Sequence, residues 1–234
     1  MPDNKPQCLG FIMDGNRRWA TDQGLQTYEG HKQGGETLQN CIEWLRESKI
    51  PHAVFYAFST ENWNRSEAEV SYLMDLFREW LSQIDNKIHK EGVADNERIK
   101  VRVVGRRSDF APDIVEQLNK LEADSLKYDQ ATTTIWIALS YGGRAEIIEA
   151  VNAAIKAGDL VDEASFEKLL WTADMPDPDM IIRTSGEHRL SNFLTWKSVY
   201  SEFYFIDKHW PALTTDDFED ILQEYSRRNR RKGQ

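Results

Sequence analysis

Short apolar runs of strand length alternate with long amphipathic segments along most of this chain, and that alternation limits the fold more than any other feature. Leu9–Met13, His52–Phe58, Ile99–Gly105, Thr133–Leu139, Met180–Arg183 and Glu202–Phe205 read as short, largely buried strands. The clearest helical pattern covers Glu67–His89. There Val70, Leu73, Met74, Phe77, Trp80, Leu81, Ile84 and Ile88 recur at steps of three and four and make one wide apolar stripe. Leu38, Cys41, Ile42 and Leu45 form a narrower stripe on a helix after Gly30, and Ile147, Ile148, Val151 and Ile155 another after Gly143. A last helix, with Thr214 or Thr215 as N-cap, carries Phe218, Ile221, Leu222 and Tyr225. Such alternation predicts an α/β fold, a mostly parallel sheet with helices on both faces and right-handed crossovers. No repeat, linker or composition shift divides residues 1–234, so a single domain is expected.

Charge narrows the ligand. The net charge of −10 argues against nucleic acid, whose phosphates most of the surface would repel. Positive charge gathers locally, at Arg17-Arg18, around Arg183 and Arg189, and in the tail Arg227-Arg228-Asn229-Arg230-Arg231-Lys232. That distribution suits small anions in a pocket. Two cysteines, Cys8 and Cys41, lack the spacing of a zinc or redox pair, and reduced thiols are expected. The first residues lack an apolar signal core and no run has the length of a membrane span, so a soluble cytoplasmic protein is expected.

The polar residues cluster where predicted strands end, which in a parallel sheet is one edge. The first cluster is Asp14-Gly15-Asn16-Arg17-Arg18-Trp19. One carboxylate beside two guanidiniums suits a divalent cation bound to an anionic substrate. The second is Ser59-Thr60-Glu61-Asn62-Trp63-Asn64-Arg65, and the third is Tyr141-Gly142-Gly143-Arg144, whose glycines permit close backbone approach and open a helix with outward-facing amides. The fourth runs from Arg183 to Asn192, and Gly30-His31 is expected to join them. Taken singly, each has an ordinary structural explanation; four complementary clusters on one edge do not. There is no Gly-x-x-x-x-Gly-Lys loop, no Gly-x-Gly-x-x-Gly after the first strand and no Gly-x-Ser-x-Gly elbow. Asn16 stands where an aspartyl phosphatase would carry its second acid.

These residues resemble the cis-prenyltransferases, of which undecaprenyl diphosphate synthase is an example. The likeness runs from about Leu9 to Gly233 and rests on Met13–Asn16, Gly30-His31, Phe58–Arg65, Tyr141–Arg144, Arg183–Arg189 and the terminal Arg231-Lys232-Gly233. The resemblance implies condensation of isopentenyl diphosphate with an allylic diphosphate, Mg2+, a homodimer, and a central sheet of about six mostly parallel strands enclosed by helices. It also leaves room for peripheral membrane contact during product release. It implies that Asp14 binds magnesium, with Glu202 contributing, and that Gly15, Asn16, Arg17, Arg18, Trp19 and His31 surround the allylic diphosphate. Ser59, Thr60, Glu61, Trp63 and Arg65 would lie on a segment that closes over the substrates. Asn62 would either accept a proton or orient the group that does. Arg183, Arg189, Leu190 and Ser191 would hold isopentenyl diphosphate. The growing hydrocarbon needs an apolar tunnel, which Leu73, Phe77 and Ala57 can line.

Three departures stand out. Thr27 occupies the position of an arginine that usually contacts the allylic diphosphate, and Arg17, where many members have glycine, can restore part of that charge. Ser140 replaces a common asparagine. Tyr72 and Trp136 are larger than usual near the expected tunnel, which either shortens the product or reflects packing alone. A non-catalytic partner subunit and a phosphate-releasing hydrolase are the rival readings.

Overall fold

The computed structural model describes residues 5–88, 94 and 97–228. His89 and the tail beyond Arg228, with its Arg231-Lys232-Gly233 match, lie outside the described residues. Six strands, β1 (Cys8–Ile12), β2 (His52–Ser59), β3 (Ile99–Val104), β4 (Thr133–Tyr141), β5 (Met180–Thr184) and β6 (Glu202–Ile206), form one sheet in the order β3-β4-β2-β1-β5-β6. Every pairing is parallel. Strands buried on both faces read as continuous apolar runs, which is why Cys8–Ile12 and Met180–Thr184 are buried at every position.

Among the described residues seven helices connect or flank the strands: α1 (Asn16–Asp22), α2 (Thr27–Glu47), α3 (Glu67–Ile88), α4 (Pro112–Ser125), α5 (Gly143–Ala157), α6 (Glu163–Glu167) and α7 (Thr215–Arg227). Helix α2 begins earlier than its apolar stripe suggests, because Gln26 and Glu29 form a capping box, and Gly30-His31 therefore sit inside the first turns. Thr214 caps α7, its hydroxyl accepting from the Asp217 amide.

One face of the sheet carries Leu9, Phe11, Ala53, Phe55, Ile135 and Ile182 against α2, α7 and Trp210, and continues through Val101, Val103 and Leu139 against α3 and α4. The opposite face holds Cys8, Val54, Trp136, Ile181 and Phe193. Strand alternation puts Trp136 on that second face, where its indole N–H donates to His52 Nδ1 at 3.3 Å, so it is not near the α3 side at all. Tyr72 packs at the edge of the α3 cluster. It lies one residue round α3 from Leu73, and its hydroxyl donates to the Tyr28 carbonyl at 3.2 Å. Both bulky residues have packing partners in this structure. Cys8 and Cys41 are free, buried thiols, and no helix among the described residues is long and apolar enough to cross a membrane.

Candidate active site

The first four clusters leave the C-terminal ends of β1, β2, β4 and β5, the four central strands. From β1 the chain first fills one side of the sheet, with β2, β4 and β3 lying successively outward, then the other, with β5 and β6. The crevice between β1 and β5 is therefore a topological switch point, where ligands bind in open α/β sheets.

Asp14 and Arg183 meet in that crevice. Arg183 Nη2 donates to Asp14 Oδ2 at 2.9 Å, and Nη1 donates to Ser191 Oγ at 2.8 Å and to the Arg189 carbonyl at 2.5 Å. Only 4% of the Arg183 side chain is exposed, so the guanidinium is fixed as a fork. Arg18 Nη2 lies 3.2 Å from Asp14 Oδ1. Burial acts to raise the Asp14 pKa, but the hydrogen bond and charge of Arg183, the charge of Arg18 and the Gly15 amide outweigh it and hold the carboxyl below its ordinary value. The backbone is held as firmly. The Asp14 carbonyl accepts from Thr184 Oγ1 at 2.7 Å and from the Trp210 amide at 3.0 Å. Gly15 follows with φ of +104°, and a Cβ there would lie 2.7 Å from both Ser185 Oγ and His209 Nδ1, so only glycine turns the chain into α1 here.

The second cluster is a 3-10 turn, Thr60–Asn64, that opens with Ser59 as N-cap. Asn62 Oδ1 accepts the Ser59 amide at 3.0 Å, Glu61 Oε1 accepts from Asn192 Nδ2 at 2.8 Å, and Arg65 donates to Glu69 at 2.8 Å. Ile12, Met13, Asp14, Tyr56, Ser59, Glu61, Asn62, Arg65, Arg183, Ser191 and Asn192 together enclose a polar cleft of about 540 Å³.

A second cavity, of about 120 Å³, shares Met13, Tyr56, Asn62 and Arg65 with the cleft and is otherwise mostly apolar, walled by Leu38, Ala57, Phe58, Leu73, Phe77 and Trp80. A bulge between Tyr56 and Phe58 breaks the β2 alternation, which lets Tyr56, Ala57 and Phe58 all reach this cavity. Trp80 lies hard against α2, where a Cβ on Gly35 would come within 2.3 Å of its Nε1. His31 Nε2 and Asn16 Oδ1 are buried here without a partner among the described residues. Burial first, then the charges of Arg65 and Arg17 against the opposing Glu69, lower the His31 pKa from 6.5 to about 4. The imidazole is neutral at pH 7.

The remaining assigned residues are placed as follows. Arg17, Arg18 and Thr27 line a third cavity of about 490 Å³ with Glu69, to which Arg17 pairs at 3.3 Å. Arg189 is 59% exposed and pairs with Glu187, while Trp19, Thr60, Trp63 and Leu190 line none of the three cavities. Glu202 does not meet Asp14. It starts β6 opposite Met180, which is itself opposite Leu9, so it lies at the other end of the sheet, where it pairs with Arg228 at 2.9 Å. Within one chain the two cannot share a metal ion. The α5 amides are also taken: the Asn192 carbonyl accepts from Gly143 and its Oδ1 from Arg144. Gly142-Gly143 is a tight seat for Thr60, Asn192 and Thr195, not an anion site.

Sequence reading missed Tyr56 as a wall of the cleft and gave Asn192, the last residue of the fourth cluster, no role of its own. The Tyr56 hydroxyl donates to the carbonyls of Tyr141 or Ser191, both at 3.2 Å, tying β2 to the third and fourth clusters. The chain also contains Asp216-Asp217-Phe218-Glu219-Asp220, an acidic pattern suggestive of metal binding. It lies at the start of α7, where Asp217 serves the Thr214 cap and Lys208. Among the described residues no three acids, histidines or cysteines group to hold an ion.

Residues 12–233 match the family model described as "Putative undecaprenyl diphosphate synthase". An isoprenyl transferase of Thermotoga maritima is 42% identical over 233 residues, 97% of each chain. A tritrans,polycis-undecaprenyl-diphosphate synthase, geranylgeranyl-diphosphate specific, from Methanopyrus kandleri is 40% identical over 97% of this chain and 84% of its own. The crystal structure of lavandulyl diphosphate synthase from Lavandula x intermedia in complex with dimethylallyl diphosphate superposes with a TM-score of 0.89 at 31% identity, covering 98% of this chain and 99% of its own. The chain therefore belongs to the undecaprenyl diphosphate synthase family and is a prenyl-transferring enzyme of the isoprenyl transferase type.

Proposed function

We propose that the enzyme condenses isopentenyl diphosphate with an allylic diphosphate, geranyl or farnesyl diphosphate, to give a Z-polyprenyl diphosphate and free diphosphate. One observation carries this reading: the polar cleft that holds the Asp14–Arg183 pair shares four wall residues with an apolar cavity. An anionic head beside a hydrocarbon tail matches that pair of spaces.

As the allylic C1–O bond breaks, negative charge grows on the departing diphosphate. Fixed guanidiniums stabilise that charge more in the transition state than in the ground state. Arg18 and Arg17 face the allylic diphosphate; Arg183 and Ser191, with Arg189 released from Glu187, hold isopentenyl diphosphate. C1 bonds to C4 of isopentenyl diphosphate, and C2 of that unit loses a proton to a phosphate oxygen. Asn62 orients rather than accepts, because an amide is not basic and its oxygen already receives the Ser59 amide. The Asp14 carboxylate on the cleft wall fits magnesium, which takes one or two protein carboxylates and completes its shell with substrate phosphates and water. Bound there, the ion would neutralise charge on the diphosphate.

The apolar cavity is smaller than the roughly 150 Å³ that admits a benzene ring, and Trp80 forms part of its wall. In this conformation it is too small for a ten- or fifteen-carbon chain, so displacement of Trp80 has to open it before the product can grow. A homodimer is part of the proposal. Edge strand β6 and the preceding turn expose Phe203, Val199 and Tyr200, apolar surface that a second copy would cover. A cytoplasmic location fits the reduced thiols.

The test is mass analysis of products made by the purified chain with Mg2+, isopentenyl diphosphate and ten-, fifteen- or twenty-carbon primers. Chain growth by five-carbon steps supports the reading. No incorporation would indicate a non-catalytic subunit, and phosphate release without growth a hydrolase.

A further inference from the structure

The turn that carries Asn62 is anchored from outside the cleft. Trp63 donates its indole N–H to Ser140 Oγ at 2.9 Å, and the Ser140 hydroxyl donates onward to Asp109 Oδ2 at 2.5 Å. The direction is forced, since an indole only donates and a carboxylate only accepts, which leaves the hydroxyl to do one of each. Ser140 is fully buried near the end of β4 and holds φ of +43°, a left-handed conformation uncommon for serine.

Asp109 belongs to a 3-10 turn, Arg107–Asp109, that docks tightly on the same backbone. The Arg106 amide donates to the Ser140 carbonyl at 3.3 Å, and a Cβ on Gly105 would lie 2.0 Å from the Leu139 oxygen. The next residue, Phe110, meets the Trp63 ring edge-on at 5.3 Å between centroids. The indole is thus gripped twice by the loop after β3, once at its N–H through Ser140 and once at its ring. Asp109, Ser140 and Trp63 line none of the cavities.

We infer that Asp109, acting through Ser140 and Trp63, is a positioning residue for the turn that presents Asn62 to the substrates. The inference deepens the condensation reading and rests on it for its kinetic arm. Asn62 is one residue from the anchored indole, and its own side chain caps the same turn. Loss of the anchor loosens that turn without removing any group that touches substrate.

The test uses the full chain. Ser140→Ala and Asp109→Ala are expected to lower kcat about tenfold, the factor that one ordinary hydrogen bond corresponds to, with little change in either KM. Asp109→Asn keeps an acceptor, and Ser140→Asn keeps a hydrogen-bonding group on a residue that tolerates the left-handed region; both should recover most of the rate. Trp63→Phe keeps a ring and deletes the N–H, and adding Ser140→Ala to it should cost nothing further. Amide hydrogen exchange over residues 59–65 should quicken in Ser140→Ala. Wild-type kcat and wild-type exchange in Ser140→Ala, or full additivity with Trp63→Phe, would overturn the inference. Should Ser140→Ala not fold, wild-type kcat and exchange in Trp63→Phe would do the same. If the wild-type chain does not condense prenyl units, the condensation reading fails, while the exchange measurement still decides the anchor.

Discussion

His31 gives the sharpest link between a buried group and a measurable pH dependence. Its pKa falls from 6.5 to about 4 on folding, chiefly because burial disfavours the imidazolium and Arg65 and Arg17 repel it. A folded-state pKa below the unfolded value means that the unfolded chain binds the extra proton first, so stability falls as pH drops through that interval. Each pKa unit is worth about 1.4 kcal/mol, which puts the full loss at roughly 3 kcal/mol by pH 4 and about 2 kcal/mol between pH 7.5 and 5. His52 is also depressed and adds to the slope, whereas Asp14, Glu61 and Glu69 are lowered carboxylates and lose their contribution only at more acidic pH. The clean experiment is therefore a difference. Urea unfolding of the wild type and of His31→Gln at pH 7.5 and 5 should show the variant losing about 2 kcal/mol less across that step. Parallel behaviour of the two proteins would refute the claim that His31 folds in the neutral form.

Further perturbations probe the cavity, the turn and the charge distribution. Trp80→Ala should lengthen the product in a mass spectrum and lower stability by about 3–5 kcal/mol in urea unfolding. Gly30→Ala would place a Cβ 2.0 Å from the Asn16 carbonyl, so it should destabilise by at least about 1–3 kcal/mol and raise the allylic KM by shifting α1 from α2. Arg17→Ala should raise the KM for the allylic diphosphate and spare that for isopentenyl diphosphate, because Arg17 shares its cavity with Thr27 and Arg18. An unchanged allylic KM would remove Arg17 from the account.

The parallel sheet and its helices were legible because buried strands and amphipathic helices impose different periods on the sequence. The placement of the Asp14 turn and Arg183 at one edge followed from parallel strand direction alone. What the sequence hid depends on neighbours distant along the chain. Asn192 walls the cleft and caps α5 because β5 lies three places from β4, with β2 and β1 between them, which no local pattern shows. Whether Trp136 faces the tunnel stays open in the sequence because its face depends on register, and one step of alternation sends it to the other side. Glu202 opens its strand instead of ending it, so the edge rule that gathers Asp14 and Arg183 excludes it. The Asp109 anchor was invisible for the same reason as Asn192: β3 and β4 are neighbours only in the folded sheet.

The central claim is that Asp14, held by Arg183 and Arg18 at the mouth of an apolar cavity, serves the departure of diphosphate. Incorporation of labelled isopentenyl diphosphate by wild-type and Asp14→Ala protein, with magnesium and a fifteen-carbon primer and with folding followed by circular dichroism, tests it directly. The account predicts chain growth by the wild type alone, from two proteins with the same spectrum. Undiminished growth by a folded Asp14→Ala protein, or a variant that is inactive only because it unfolds, would contradict it.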